Sequence, residues 1–166
     1  MRRKDAPPEP SADGIGPAAR AAAADADGGQ ERQRVAALAI EPLLADLAAN
    51  PGDGARTFAF WRAVAALPYW IFTPRGDPAA PRPFVVLDDQ DQGVILAATS
   101  GETARETALR SGLSEDEAVM MLMIPLPRAI DYVLSFAEHG VRTIAFDGGR
   151  WAVSLEHLAL MSPQLR

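Results

Sequence analysis

The chain contains no cysteine, a single lysine (Lys4) and only two histidines. The lack of cysteine excludes a disulfide framework, a thiolate metal site and a cysteine nucleophile. A zinc site built on His139 and His157 would need carboxylates from unrelated positions. His139 directly precedes Gly140, where a cation complements the end of a helix, and His157 is expected at the surface. We therefore predict neither a metal nor a cofactor.

Long apolar runs and an excess of positive charge are also missing. No stretch approaches the roughly eighteen apolar residues that span a bilayer, and no hydrophobic segment follows Arg2-Arg3-Lys4 to complete a signal peptide. With 22 acidic and 16 basic residues, the net charge of -6 repels phosphate backbones and anionic lipid. These features predict a cytoplasmic protein that binds neither nucleic acid nor membrane.

The first 29 residues differ in composition from the rest. They are rich in alanine, proline, glycine and charge, and Ile15 is the only large apolar residue after Met1. Such a segment cannot bury enough apolar surface to offset the entropy of ordering it. The prediction is a disordered tail over residues 1–29 and a single domain over residues 30–166.

Helical and strand patterns alternate from residue 30 onward. The first helical pattern contains Pro42, which predicts a kink or two short helices that meet at Glu41-Pro42. The elements expected after it are a helix over 56–67, strands over 69–73, 84–88 and 94–98, a helix over 101–110, a buried strand near 120–124, a helix over 126–137, a hairpin that starts with a strand over 141–146 and turns at 147–148, and a helix over 154–160. This order predicts an α+β domain with a central mixed β-sheet flanked by helices.

Three segments have sequences similar to motifs of a known family: Leu67-Pro68-Tyr69-Trp70, residues 96–104 (Leu-Ala-Ala-Thr-Ser-Gly-Glu-Thr-Ala) and residues 140–149 (Gly-Val-Arg-Thr-Ile-Ala-Phe-Asp-Gly-Gly). Together they resemble the N-terminal domain of the SseB family, the enhanced serine sensitivity proteins, over about residues 56–160. The resemblance implies a small α+β module, often bacterial, that acts in binding or regulation. None of the matching motifs is catalytic.

Aromatic residues are the strongest candidates for a contact surface. Neighbouring residues of a strand point to opposite faces, so either Tyr69 or Trp70 is expected to be exposed. An exposed ring beside the proline-rich loop 74–83 would bind a protein partner. The predicted binding residues are Tyr69, Trp70, Phe72 and Trp151. An edge strand near Tyr69 would also allow a homodimer, although the pattern does not require one.

The methionines and the acidic turn have two readings each. For Met120, Met121 and Met123, packing in the core is favoured over a soft binding groove. The acidic turn at residues 88–91 offers oxygen ligands to a divalent cation, but it lacks the terminal bidentate glutamate of a calcium loop. A solvated hairpin tip is therefore favoured.

The chain leaves two classes of function open. The first hypothesis is a non-enzymatic binding or regulatory module with an unidentified protein partner and no catalytic residue. The alternative is a small enzyme with a carboxylate or serine site. Ser154, His157 and Asp131 can be drawn as a triad, but no Gly-x-Ser-x-Gly elbow supports it. Polar residues that converge in one pocket with shifted titration would favour the enzyme, and a flat apolar patch would favour the binding module.

Overall fold

The computed structural model describes residues 17–77 and 80–165, and for residues 17–27 it describes the backbone alone. The α+β class with a mixed sheet flanked by helices is confirmed. The helices are α1 Pro17–Leu38, α2 Ile40–Ala49, α3 Gly54–Ala65, α4 Gly101–Arg110, α5 Glu115–Ala118, α6 Arg128–Leu134 and α7 Leu155–Leu165. The strands are β1 Tyr69–Phe72, β2 Pro74–Arg75, β3 Arg82–Pro83, β4 Val85–Leu87, β5 Gly93–Ala98, β6 Leu122–Pro125, β7 Val141–Phe146 and β8 Trp151–Ser154. Short 3-10 turns follow at Ala137–His139 and Asp147–Gly149.

The main sheet has six strands in the order β6-β1-β5-β7-β8, and β4 also pairs with β5. Strands β5 and β7 are parallel, whereas the other neighbouring pairs are antiparallel. Strands β1 and β4 share one side of β5, because β1 pairs near Ala97 and β4 pairs near Val94. The strand that contains Tyr69 is not itself an edge, because β1 lies between β6 and β5, but its neighbour β6, which pairs with Tyr69 through Pro125, is an edge strand.

One face of the sheet carries the main hydrophobic core. Helices α3, α6 and α7 pack on this face, and their buried side chains meet those of five strands. Phe146 on β7 stacks on Trp151 at 4.2 Å between ring centroids. Trp61 and Trp70 contact the same phenylalanine edge to face, at 6.1 Å and 5.0 Å. Edge-to-face and offset aromatic pairs are favourable beyond the area they bury, so this cluster fixes the centre of the core.

The N-terminal helices differ from the predicted boundaries. The helix expected from residue 30 begins at Pro17, so the backbone of residues 17–29, which were assigned to the tail, is helical. Residues 1–16 of that tail lie outside the described residues. The break predicted at Glu41-Pro42 occurs earlier, at Ala39, and Pro42 occupies the first turn of α2. A proline is tolerated there because its missing N–H would have no partner within the helix. None of the described helices is long and apolar enough to cross a membrane.

The helix predicted over residues 101–110 is confirmed, and a short helix, α5, begins after Ser114. The hydroxyl of Ser100 accepts a hydrogen bond from the N–H of Thr103, which caps α4. Ser114 and Glu117 form a full capping box at α5. Gly140 adopts a left-handed conformation with φ 84° and ends the segment that precedes β7. These local signals determine where the chain leaves β5 and where it approaches β6 and β7.

Candidate functional site

The predicted aromatic contact surface lies in the core instead. The exposed fractions of Trp70, Phe72 and Trp151 are 1%, 0% and 7%. The indole N–H of Trp70 donates to the carbonyl of Val64 at 3.1 Å, so even its polar atom has an internal partner. The interpretation of these three rings as docking residues is corrected: Trp70 and Phe72 on β1 and Trp151 on β8 all point into the main core, so none of them is available to a partner.

Tyr69, the fourth predicted binding residue, is half-buried, and its backbone is hydrogen-bonded to the side chain of Gln33. Its N–H donates to Oε1 of Gln33 at 3.3 Å, and its carbonyl accepts from Nε2 of the same side chain at 3.0 Å. Burial raises the pKa of the Tyr69 phenol. Tyr69 therefore belongs to the contact between α1 and the sheet and is not the centre of an exposed patch.

The exposed apolar surface lies one strand further out, at β6. Val119, Met120, Met121 and Met123 are all exposed, and Met123 has 55% of its surface in solvent. We call these four side chains together with strand β6 the methionine edge. The prediction that the methionines pack in the core is therefore wrong. Their exposure supports the alternative, a soft binding groove.

The sheet register explains why the methionine edge is uncovered. Met123 lies opposite Ile71 and therefore points to the same face of the sheet. Helix α4 covers Ile71 through Ala104, but among the described residues no helix extends over Met123. The sulfur of Met121 lies against Gly101 at the start of α4, where an added Cβ would be 3.2 Å from it. The second face of the sheet thus ends in an apolar rim beyond α4.

The outer side of β6 also lacks a strand partner among the described residues. Beside it lies an open groove of about 470 Å³ between β2 and the segment that enters β6. Arg75 and Glu117 form an ion pair across one end of this groove. An unpaired strand with exposed methionines has both backbone groups and apolar side chains available for a partner.

A second, polar candidate lies where the parallel strands β5 and β7 end. The crevice at this end of the sheet has a volume of about 830 Å³. Asp147, the residue after β7, is 8% exposed and faces Thr99, the residue after β5. Its Oδ1 accepts from the N–H of Thr99 at 2.9 Å, and its Oδ2 accepts from the Thr99 hydroxyl at 3.0 Å. The carboxylate thus joins the ends of two strands that are distant in sequence.

The backbone and the charge of Asp147 are both unusual. Its φ is 50°, in the left-handed region that few non-glycine residues occupy. Burial raises the pKa of Asp147, and this effect exceeds the opposing effect of the hydrogen bonds from Thr99. Strained backbone and a shifted carboxyl group are features that concentrate at functional sites, although ordinary structural networks show them too.

Charged side chains of both signs line the rest of the crevice. Arg150 donates two hydrogen bonds to Glu41, at 2.7 Å and 2.9 Å, and so connects the turn after β7 to α2. Both groups are largely solvated, so this pair contributes little to stability. An added Cβ at Gly148 would overlap the guanidinium of Arg110, and the glycine therefore leaves room for that group. The arginines and carboxylates give the crevice a mixed charge.

Helix α1 lines one side of the crevice through Arg34, Ala37 and Leu38, and its Gln33 joins the helix to the sheet. This buried amide donates to the carbonyls of Tyr69 and Thr99 at 3.0 Å and 2.9 Å. It therefore ties α1 to both β1 and the residue that holds Asp147. Gln33 is buried although its neighbours on the helix are exposed. The composition of the segment does not reveal this burial, so the contact could not be predicted from the sequence.

The remaining candidates have local structural roles. The hydroxyl of Ser154 accepts from the backbone N–H of His157 at 3.2 Å and caps α7. Oδ1 of Asp88 accepts from the N–H groups of Gln90 and Gln92, so the acidic turn is closed on itself. Within residues 17–77 and 80–165, no three histidine, aspartate or glutamate side chains lie close enough together to hold a metal ion.

Comparisons with protein-family models, curated proteins and solved structures were made for the whole chain. They find no match. The methionine edge and the crevice are therefore the features from which a function can be inferred.

Neither site was recognised in full from the sequence. The sequence predicts that Asp147 is a turn residue, and its further signal is that this aspartate precedes two glycines at a strand end. The three methionines before Pro125 were visible, but their exposure depends on β6 being an edge strand. Strand order is a property of non-local pairing, which the local pattern does not encode.

Proposed function

We propose that this chain is a non-enzymatic protein-binding module whose contact surface is the methionine edge. The observation that carries the proposal is the exposure of four apolar side chains on and beside an edge strand whose outer side has no strand partner among the described residues. Folded proteins usually shield such edges with charge, proline or a covering element, because an open edge pairs with other chains. A partner that adds a strand would satisfy the outer backbone groups and cover the methionines.

The proposal includes the relationship suggested by the sequence. A resemblance to the N-terminal domain of the SseB family supports a bacterial, cytoplasmic module that acts in binding or regulation. The motifs behind that resemblance occupy β1, the β5–α4 junction and the β7 hairpin. They lie in the central part of the sheet, so the resemblance concerns the scaffold, and the methionine edge would determine the partner.

The test is a photo-cross-linking amino acid placed at position 123 in cells, with position 160 as the matched control. Leu160 is an equally apolar residue with 72% of its surface exposed, but it lies on α7, outside the methionine edge. We expect a discrete cross-linked protein from position 123 and none from position 160. A second copy of this chain counts as such a protein.

The captured protein is then purified and its affinity measured by calorimetry. Met123→Glu should weaken binding at least about tenfold, because it buries a charge at the contact. Leu160→Glu should leave the affinity unchanged. The proposal is wrong if position 123 gives no discrete product, or if the captured protein binds Met123→Glu as tightly as the wild type.

The crevice supports a second candidate function, a small-molecule or enzymatic site. Its supporting observation is the buried, strained Asp147 with a raised pKa in an open crevice at the carboxyl ends of two parallel strands. Both carboxylate oxygens already accept from Thr99, which explains the group as a structural link. Thermal-shift screening of metabolites against wild type and Asp147→Asn decides between the two: a ligand that stabilises only the wild type would establish the site.

A further inference from the structure

The methionine edge has an oppositely charged residue at each end. Asp116 lies on α5, shortly before the exposed methionines, and Arg128 is the first residue of α6, shortly after β6. Both side chains are exposed, and within the described residues neither forms an ion pair. The adjacent acids differ in this respect, because Glu115 pairs with Arg105 and Glu117 pairs with Arg75.

This arrangement is complementary to itself. Two copies of a strand that pair antiparallel about a two-fold axis bring the beginning of each strand beside the end of the other. With Met123 at the axis, the segment before β6 in one copy, which carries Asp116, lies on the same side as the segment after β6 in the second copy, which carries Arg128, and the symmetry repeats this arrangement. Parallel pairing would instead place Asp116 beside Asp116 and Arg128 beside Arg128, which is unfavourable.

We infer that the methionine edge binds a second copy of this chain, with β6 antiparallel to β6 about Met123 and with Asp116 and Arg128 as the flanking ion pairs. The inference rests on the proposed function, since it names the partner of the same surface. The two main sheets would then join into one continuous sheet. The exposed side chains of Met121 and Met123 from both copies would cover each other on the face that α4 leaves open.

Strand β8 does not offer an equivalent surface. On β8 the exposed positions are Ala152 and Ser154, which are small or polar. The methionine edge combines an open strand, apolar side chains and flanking charges of both signs. Pairing along β6 is short, since the strand has four residues and Pro125 lacks an N–H donor. The dimer is therefore expected to be weak and reversible, with affinity in the micromolar range.

Sedimentation velocity of the full chain, from about 1 μM to about 500 μM, tests the inference. We expect a concentration-dependent dimer that Met123→Glu abolishes. Arg128→Asp alone and Asp116→Arg alone should each weaken dimerisation about tenfold, because each places like charges together twice. The double variant Asp116→Arg/Arg128→Asp should restore it. Asp89→Arg, an exposed acid on the β4–β5 turn, is the control for net charge.

The outcomes separate this inference from the proposed function. A wild type that stays monomeric over the whole range, while position 123 cross-links a different protein, overturns the dimer and leaves the binding module. The proposed pairing is also wrong if Met123→Glu dimerises as well as the wild type. It is equally wrong if the double variant Asp116→Arg/Arg128→Asp does not recover the dimerisation that each single charge reversal loses. Circular dichroism of each variant confirms that a lost dimer reflects the surface and not unfolding.

Discussion

At the scale of single residues, Asp147 combines a conformational cost with a structural gain. A non-glycine residue with φ near 50° costs about 1–3 kcal/mol, and asparagine and aspartate tolerate this region best. The two hydrogen bonds from Thr99 offset the cost and close the end of the β5–β7 pair. The residue is thus explained as a link between strands, whether or not the crevice binds a ligand.

The raised pKa of Asp147 makes its contribution to stability depend on pH. The native state binds this proton more tightly than the unfolded chain does, because burial disfavours the charged carboxylate. Its favourable contribution is therefore complete below the ordinary aspartate pKa and is lost as pH rises through the raised value. Asp147→Asn keeps one of the two oxygen acceptors for Thr99 and removes the titration. We expect the free energy of unfolding of Asp147→Asn, minus that of wild type, to increase with pH.

Urea unfolding of both proteins at several values between about pH 4 and about pH 7 measures this difference. Asp91→Asn is the matched control, because Asp91 also has a positive φ, 58°, but lies exposed on a hairpin turn. A difference for Asp147→Asn that stays constant across the range would show that the carboxyl is not perturbed by burial.

At the scale of elements, the local pattern predicted most helices and strands but not their order in space. Caps at Ser100 and Ser114 and the stop at Gly140 are local chemistry, so their positions follow from neighbouring residues. The exposure of Met123 and the burial of Trp70 depend on which strands are neighbours. That choice is made by packing between segments far apart in sequence. For this reason the sequence pattern places the contact surface on the aromatic residues of β1 and β8, whereas the exposed apolar side chains lie at β6.

Gln33 shows how one side chain can attach a whole helix to the sheet. Its amide makes three hydrogen bonds to the backbone of Tyr69 and Thr99. Gln33→Leu would leave those backbone groups buried without partners, at a cost of about 1–3 kcal/mol for each unsatisfied group. We expect a loss of about 2–4 kcal/mol in the free energy of unfolding, measured by urea denaturation.

Gln30→Leu provides the control for this variant, since residue 30 lies on the same helix but is exposed. It should change the free energy of unfolding by less than about 0.5 kcal/mol. Equal effects of the two substitutions would mean that α1 is not held to the sheet through Gln33.

At the scale of the whole molecule, the aromatic cluster joins elements from both halves of the sequence. All three tryptophans of the chain contact Phe146, although they come from α3, β1 and β8. Tryptophan fluorescence therefore reports on elements from both halves of the sequence at once. Loss of packing around Phe146 would disconnect the outer strands from the helices that cover them.

We expect the unfolding transitions followed by tryptophan fluorescence and by far-ultraviolet circular dichroism to coincide in urea. Phe146→Ala should shift both together and lower the free energy of unfolding by about 3–5 kcal/mol, because it opens a cavity among fully buried rings. Phe58→Ala, which removes the same ring from a half-buried position on α3, should cost less. Coincident transitions are the signature of a two-state domain. If fluorescence changed at a lower urea concentration than circular dichroism, the aromatic cluster would unfold separately from the helices. The core would then not unfold as a single unit.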